Sequence, residues 1–166
     1  MKTETPRDLF FDQLQDLFSV ETQLQESLPT VAERAGDERL RAMITHHCIE
    51  TRQQADAVSG ILRHYGYSPG GDPCKAMQGL IAGGDAHLDS VEIPATRDLM
   101  IIAHCLRIEH YEVAAYRITS ALARQLGFEE EAALLQSLLR QEEEAAAGLD
   151  RLEPSLFELA TRISWS

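Results

Sequence analysis

Apolar residues recur along most of this chain at alternating steps of three and four, which is the spacing of one face of an α-helix. No stretch shows the regular alternation of β-branched and polar residues that is typical of strands. The pattern predicts an all-α protein with four long helices and two short ones. We expect the long helices at about 7–35, 38–65, 95–126 and 129–152, and the short ones at about 75–81 and from Pro154 to near Ile163.

The breaks between the predicted helices indicate the topology. Gly36 and Asp37 separate the first two long helices and Gly127 separates the last two, so each pair should form an antiparallel hairpin. The link between the hairpins has roughly 30 residues, too many for a simple turn. A four-helix bundle with one long crossover between its second and third helices is the ferritin-like arrangement. We expect one domain over 1–166, with a helical core at about 7–152 and an extension at 153–166.

Each long helix carries a seam, the row of residues expected to face the core, and glutamate interrupts every seam near its middle. The seam of the second helix, for example, is Leu40, Met43, His47, Glu50, Gln54, Ala57 and Ile61. Over the four helices the interrupting acids are Glu21, Glu50, Glu109, Glu112 and Glu142. At 1.5 Å of rise per residue these acids lie roughly 20–26 Å from the turns, which places them at one level of the bundle.

Such a level predicts a metal site. An unpaired buried carboxylate is costly, and several together repel one another. Metal ions remove both costs, since carboxylates suit hard or borderline ions and the imidazole of His47 suits iron, zinc or manganese. Taken singly, each residue has a plainer interpretation: Glu142 as part of a solvated acidic run, His47 as a hydrogen-bonded core residue, Tyr116 as a packed aromatic. The coincidence of four helices favours two metal ions, with iron expected and manganese or zinc as alternatives.

Composition narrows the partners and the compartment. The net charge of −12 and the lack of Lys and Arg clusters argue against nucleic acid and against anionic membrane surfaces. The longest apolar run is far too short to span a bilayer, and the first residues do not resemble a signal peptide. Cys48, Cys74 and Cys105 show no CxxC spacing, so we expect free thiols in a reducing, cytoplasmic compartment.

Five stretches resemble the YciF/YciE family of ferritin-like proteins. They are Asp16-Leu-Phe-Ser-Val-Glu21, His47-Cys-Ile-Glu50-Thr51 with Gln54, Cys74-Lys-Ala-Met-Gln-Gly79, Glu109-His-Tyr-Glu112 and Gln141-Glu142. The resemblance runs from about Leu9 to Leu152. It implies a ferritin-like fold, a homodimer, a carboxylate-rich two-metal site and a link to bacterial stress responses.

The chain departs from the broader di-iron pattern, in which two helices each supply Glu-x-x-His. Gln53 stands three residues after Glu50 and Ala145 stands three after Glu142, whereas His47 lies three before Glu50, on the same helix face. The predicted ligand set is therefore rich in glutamate and has one histidine.

We assign expected roles to these residues. Glu50 and Glu142 should bridge two ions, Glu21 and Glu109 should each bind one, and Glu112 should be an additional ligand. His47 should supply nitrogen or orient a carboxylate. The hydrogen-bonding neighbours expected around this set are Gln54 and Tyr116.

Such a centre could reduce peroxide or oxidise Fe(II) under stress, with a substrate and an electron donor that the sequence does not indicate. The alternative is a structural or interaction protein that retains a vestigial site. Iron storage is a weaker hypothesis because it needs a closed multimeric shell. The absence of a GxSxG motif argues against a hydrolase of that type.

Overall fold

The computed structural model describes residues 3–164, with side chains described up to residue 162. Over that range the chain forms five α-helices and no strand, which confirms the all-α four-helix bundle. The helices are α1 (Pro6–Arg34), α2 (Glu38–His64), α3 (Lys75–Asp89), α4 (Pro94–Gln125) and α5 (Glu129–Ser164). Among these described helices, none has a stretch long and apolar enough to cross a membrane.

A buried carboxylate ties three helices together at one end of the bundle. Asp37 caps α2, since its side chain accepts from the backbone N–H groups of Arg39 and Leu40. Asp98, in the first turns of α4, accepts from the backbone N–H of Gly36 at 2.7 Å and of Asp37 at 2.9 Å. The turn between α1 and α2 is therefore fixed to the start of α4.

Two glycines and a group of rings close the opposite end. Gly66 and Gly127 adopt φ angles of 78° and 77°, which L side chains rarely tolerate, and so they end α2 and α4. Beyond them an aromatic group surrounds the Arg7 guanidinium, which lies within 6 Å of the ring centroids of Phe11, Tyr65 and Phe128. These contacts join the start of α1 to the turns after α2 and α4.

The two ends fix the helix directions. α1 and α5 run from the aromatic end to the Asp98 end, and α2 and α4 run back. The crossover between α2 and α4 must therefore travel the length of the bundle, and it packs its helix α3 against α4 and α1. Cys74 at the start of α3 contacts the Tyr111 hydroxyl at 3.1 Å, and that hydroxyl donates to Asp16.

Two helical elements are longer than the sequence predicts. α5 continues through Pro154 to Ser164, so the predicted separate C-terminal helix is its last part. Pro154 and Asp150, whose carbonyl would have accepted the missing N–H, are both exposed, and water can replace that bond. α3 likewise continues through Gly83 and Gly84 to Asp89, so these glycines do not end the helix. Gly84 instead allows α3 to pack closely against His104 of α4.

Two apolar clusters fill the bundle, one towards each end. The cluster at the Asp98 end includes Leu24, Leu28, Ile44, Ile101, Ile108 and Leu149. The cluster at the aromatic end includes Phe10, Leu14, Leu17, Val58, Leu135 and Leu138. Along each long helix the change from one cluster to the other falls where the sequence places its acids.

Adjacent glycines of α3 provide a test of this packing. A Cβ on Gly84 would lie 1.9 Å from Cε1 of the buried His104 ring, whereas a Cβ on Gly83 would meet nothing within 4 Å. Gly84→Ala should lower the free energy of unfolding by about 1–3 kcal/mol through overpacking. Gly83→Ala should raise it by up to about 1 kcal/mol through helix propensity. Urea unfolding of both variants measures the difference, and equal effects would contradict the close approach of α3 to α4.

Candidate metal centre

A layer of acidic side chains separates the two apolar clusters. Glu21, Glu112 and Glu142 have no exposed surface, and Glu109 and His47 are 4% and 6% exposed. We call these five residues the glutamate layer. All four long helices contribute: α1 and α5 one glutamate each, α4 two, and α2 the histidine.

The layer brings possible metal donors close together. His47 Nε2 lies 3.5 Å from Oε1 of Glu109, 3.8 Å from Oε2 of Glu112 and 3.9 Å from Oε2 of Glu142. One ligand atom from each of these four residues lies within 4.8 Å of the others. Donors on a common ion at about 2.1 Å are up to about 4.2 Å apart, so small rotations would bring the set to one ion. This His/Glu cluster could therefore hold a metal ion.

Unpartnered polar atoms are concentrated in and beside this layer. In the described part of the chain, the buried side-chain atoms without a hydrogen-bond partner are Glu21 Oε2, His47 Nδ1 and Nε2, Thr51 Oγ1, Gln54 Oε1, Glu109 Oε2, Glu112 Oε1 and Oε2, and Glu142 Oε2. Each such atom normally costs about 1–3 kcal/mol, more when it is charged. The chemistry of this donor set fits metal ions, which would give those oxygens and nitrogens partners.

Electrostatics within the layer are unfavourable for so many charges. Burial, together with the charges of Glu112 and Glu142, raises the pKa of Glu21 well above its usual value. Burial and the charge of Glu142 likewise raise the pKa of Glu112. Burial alone would lower the pKa of His47, but the surrounding carboxylates outweigh it and raise that pKa to about 10. One imidazolium cannot neutralise four carboxylates, so protons or metal ions must balance the rest.

Two neutral side chains hold carboxylates of the layer from outside. The Tyr116 hydroxyl donates to Oε1 of Glu21. The Gln54 amide donates to Oε1 of Glu142 and, at 3.2 Å, to the side chain of Gln141. Each contact fixes one oxygen and leaves the other oxygen of the same carboxylate without a hydrogen-bond partner.

Glu50 lies at the rim of the layer rather than within it. Its side chain is 21% exposed, with Oε2 3.7 Å from His47 Nδ1 and Oε1 3.5 Å from Nε2 of the exposed His46. The contact with His47 lowers the pKa of Glu50 against the opposing effect of burial. The seam predicted for the second helix is confirmed in part, since Leu40, His47, Gln54 and Ile61 are buried. Met43, Glu50 and Ala57 are only partly buried, and α2 also buries Ile44, Cys48, Thr51 and Val58.

A family comparison matches almost the whole chain. Residues 5–161 match the model of a family described as a domain of unknown function, DUF892. The chain belongs to the DUF892 family. It is 32% identical over 143 residues to the protein YciF of Escherichia coli strain K12. The aligned residues cover 86% of each of the two chains. The resemblance to the YciF family is thereby confirmed.

Solved structures of DUF892-like proteins share the fold. The crystal structure of the E. coli stress protein YciF has a TM-score of 0.89 at 30% identity, covering 94% of this chain and 99% of that one. A Rhodopseudomonas palustris protein named YcfI, to which a structural role is provisionally ascribed, has a TM-score of 0.85 at 30% identity. That match covers 89% of this chain and 94% of the other.

Sequence reasoning missed one polar residue beside the layer of this DUF892 chain. Thr51 is fully buried and its hydroxyl has no partner. Its position four residues after His47, on the same face of α2, is the signal that could have found it. The three cysteines are free and buried.

Glu112 tests the electrostatic conflict directly. Neither of its buried oxygens has a hydrogen-bond partner, and burial raises its pKa. Glu112→Gln should therefore stabilise the metal-free protein, because it removes the cost of keeping this carboxyl either charged in the layer or protonated at neutral pH. The gain in free energy of unfolding at pH 7 should exceed the roughly 0.5 kcal/mol typical of surface changes. Glu143→Gln, at an exposed position of α5, is the control. Equal stabilities after chelation and urea unfolding would show that the wild-type layer carries no such conflict.

Proposed function

We propose that the glutamate layer and Glu50 form a two-metal centre in a stress-related protein that handles iron or peroxide. The ligands would be Glu21, His47, Glu50, Glu109, Glu112 and Glu142. The observation that carries this proposal is the concentration of unpartnered buried atoms in a single layer between two apolar clusters. Iron is the expected metal, and manganese and zinc are the alternatives.

Charge favours two ions over one. The four buried glutamates carry four negative charges when ionised, and two divalent ions carry four positive charges. A single divalent ion would leave two uncompensated charges in a dry layer, where they are expensive. His47 would bind as the neutral imidazole, since a metal takes the place of the proton that the carboxylates otherwise favour.

The surrounding residues suit a centre that must stay in place and stay dry. Tyr116 and Gln54 would orient Glu21 and Glu142 through their hydrogen bonds. The two apolar clusters exclude water from above and below the layer. Iron bound there would supply one-electron redox chemistry for reducing peroxide or oxidising Fe(II). The E. coli relative, called a stress protein, supports this physiological setting.

A second candidate function is a structural or interaction protein with a vestigial site. It is favoured by the donors already present, because Tyr116, Gln54 and a protonated His47 would satisfy part of the layer without metal. The structural role ascribed to the R. palustris relative agrees with it. The homodimer implied by the family resemblance stays a prediction under either function.

Metal loading separates the two functions. We expect anaerobic loading of the purified protein to give about two Fe(II) or Mn(II) ions per chain, because ions bind the folded layer and not the unfolded chain. At a free-ion concentration about a hundredfold above Kd, each ion should raise the melting temperature by about 5–10 °C, so two ions should raise it by about 10–20 °C. Elemental analysis and thermal unfolding measure the two quantities, and absorbance changes on adding peroxide to iron-loaded protein report redox activity.

Variants locate the ions. Glu142→Gln should reduce the metal content and abolish most of the rise in melting temperature. Glu143→Gln, at the exposed neighbouring position, should leave both quantities unchanged. A metal content below about one ion per chain, with no thermal shift, would overturn the metal-binding function and favour the structural one.

A further inference from the structure

A cavity of about 220 Å³ opens beside the glutamate layer, between α2 and α5. Its polar end is formed by His47, Glu50 and Glu109. Most of its wall is apolar, contributed by Leu28, Met43, Ile44, Cys105, Ala145 and Leu149. The cavity therefore joins an apolar chamber to the polar edge of the candidate metal centre.

The polar end of the cavity carries buried groups whose hydrogen-bonding capacity is unused. His47 and Glu109 are each more than nine-tenths buried. Both imidazole nitrogens of His47 and Oε2 of Glu109 lack a hydrogen-bond partner. A ligand that placed one polar group at this end would lie against an imidazole and a carboxylate oxygen whose hydrogen-bonding capacity is unused.

The charges around the cavity select against anions. Glu50, Glu109 and Glu144 line it, so its carboxyl groups outnumber its one guanidinium. Arg151 lies at the same cavity, but its guanidinium is bound to Glu144 at 2.6 Å. Carboxylates and phosphates would meet repulsion on entry, and a fully hydrated cation would gain little from the apolar wall.

We propose that this cavity binds a small uncharged organic molecule with an apolar body and one hydrogen-bonding head. The body lies against the apolar wall, and the head lies at His47 and Glu109. A protein cavity of about 150 Å³ can hold benzene, so this one has room for roughly eight to ten non-hydrogen atoms. The inference rests on the proposed function, for which it names a substrate class: organic hydroperoxides have this form, whereas hydrogen peroxide needs no apolar wall.

Gly148 offers a way to close the cavity without touching the layer. It lines the cavity on α5, and a Cβ there would lie 2.8 Å from Cε of Met43. Gly148→Leu would push Met43 and fill the chamber. The matched control is Gly60→Leu, because Gly60 is an exposed helical glycine of α2 with nothing within 4 Å of its Cβ. Ala145→Phe, elsewhere on the wall, is a second filling variant should Gly148→Leu fail to fold.

Benzyl alcohol is the probe, a stable molecule of about eight non-hydrogen atoms that resembles benzene with a hydroxyl head. It is titrated into metal-free and zinc-loaded ¹⁵N-labelled protein, with benzoate as the anion of similar size. Saturable amide shifts are expected around Met43, Cys105 and Ala145. Binding should weaken at least tenfold in Gly148→Leu and for benzoate, and it should persist in Gly60→Leu.

The outcomes separate this inference from the function on which it rests. If wild-type protein takes up metal but benzyl alcohol causes no saturable amide shifts, the proposed cavity ligand is wrong and the proposed metal centre is unaffected. Undiminished binding in the filled variants, or equal binding of benzoate, overturns it as well. If Gly148→Leu instead slows metal uptake while benzyl alcohol fails to bind, the cavity is a route for ions and the inference is wrong. Binding of benzyl alcohol in a chain that takes up no metal overturns only the metal-centre function.

Discussion

The structure depends on one electrostatic constraint: four glutamates buried side by side in a dry layer at mid-bundle. Every helix that crosses the layer gives up apolar packing there, and the bundle is held by the clusters on either side. Because buried like charges repel, the layer is destabilising unless protons or cations enter it. A chain that kept such a layer only for stability would do better with leucine, so the constraint itself argues for a ligand.

The ends of the bundle bring the acids to one level. The acids of α1 and α4 come from opposite directions, and a shift of one turn would separate them by about 5.4 Å. Asp98 fixes the start of α4 against the turn between α1 and α2, and the aromatic group around Arg7 fixes the other end. The positions of the carboxylates in the middle are thus determined by contacts near both ends.

Much of this could be predicted because helix periodicity and glycine breaks are local. As expected, α1 buries Glu21 in the middle of a row of apolar residues from Phe10 to Val31, and α4 buries Glu109 and Glu112. The errors arose where tertiary contacts decide. Gly84 is a packing glycine against His104, and the sequence cannot distinguish it from a helix break. The lost hydrogen bond at Pro154 is tolerated because that part of α5 is exposed.

The incomplete burial of the predicted α2 seam has a physical meaning of its own. Met43 and Glu50 of α2 were expected in the core, and both are only partly buried and line the cavity. Periodicity assumes that helices pack evenly along their seams, whereas here a cavity opens beside the layer and these residues line it. A uniformly packed bundle would enclose its glutamates completely. This one leaves a chamber at His47 and, at the edge of the layer, a carboxylate that is 21% exposed, which gives small molecules a way to reach groups that are otherwise sealed by the apolar clusters.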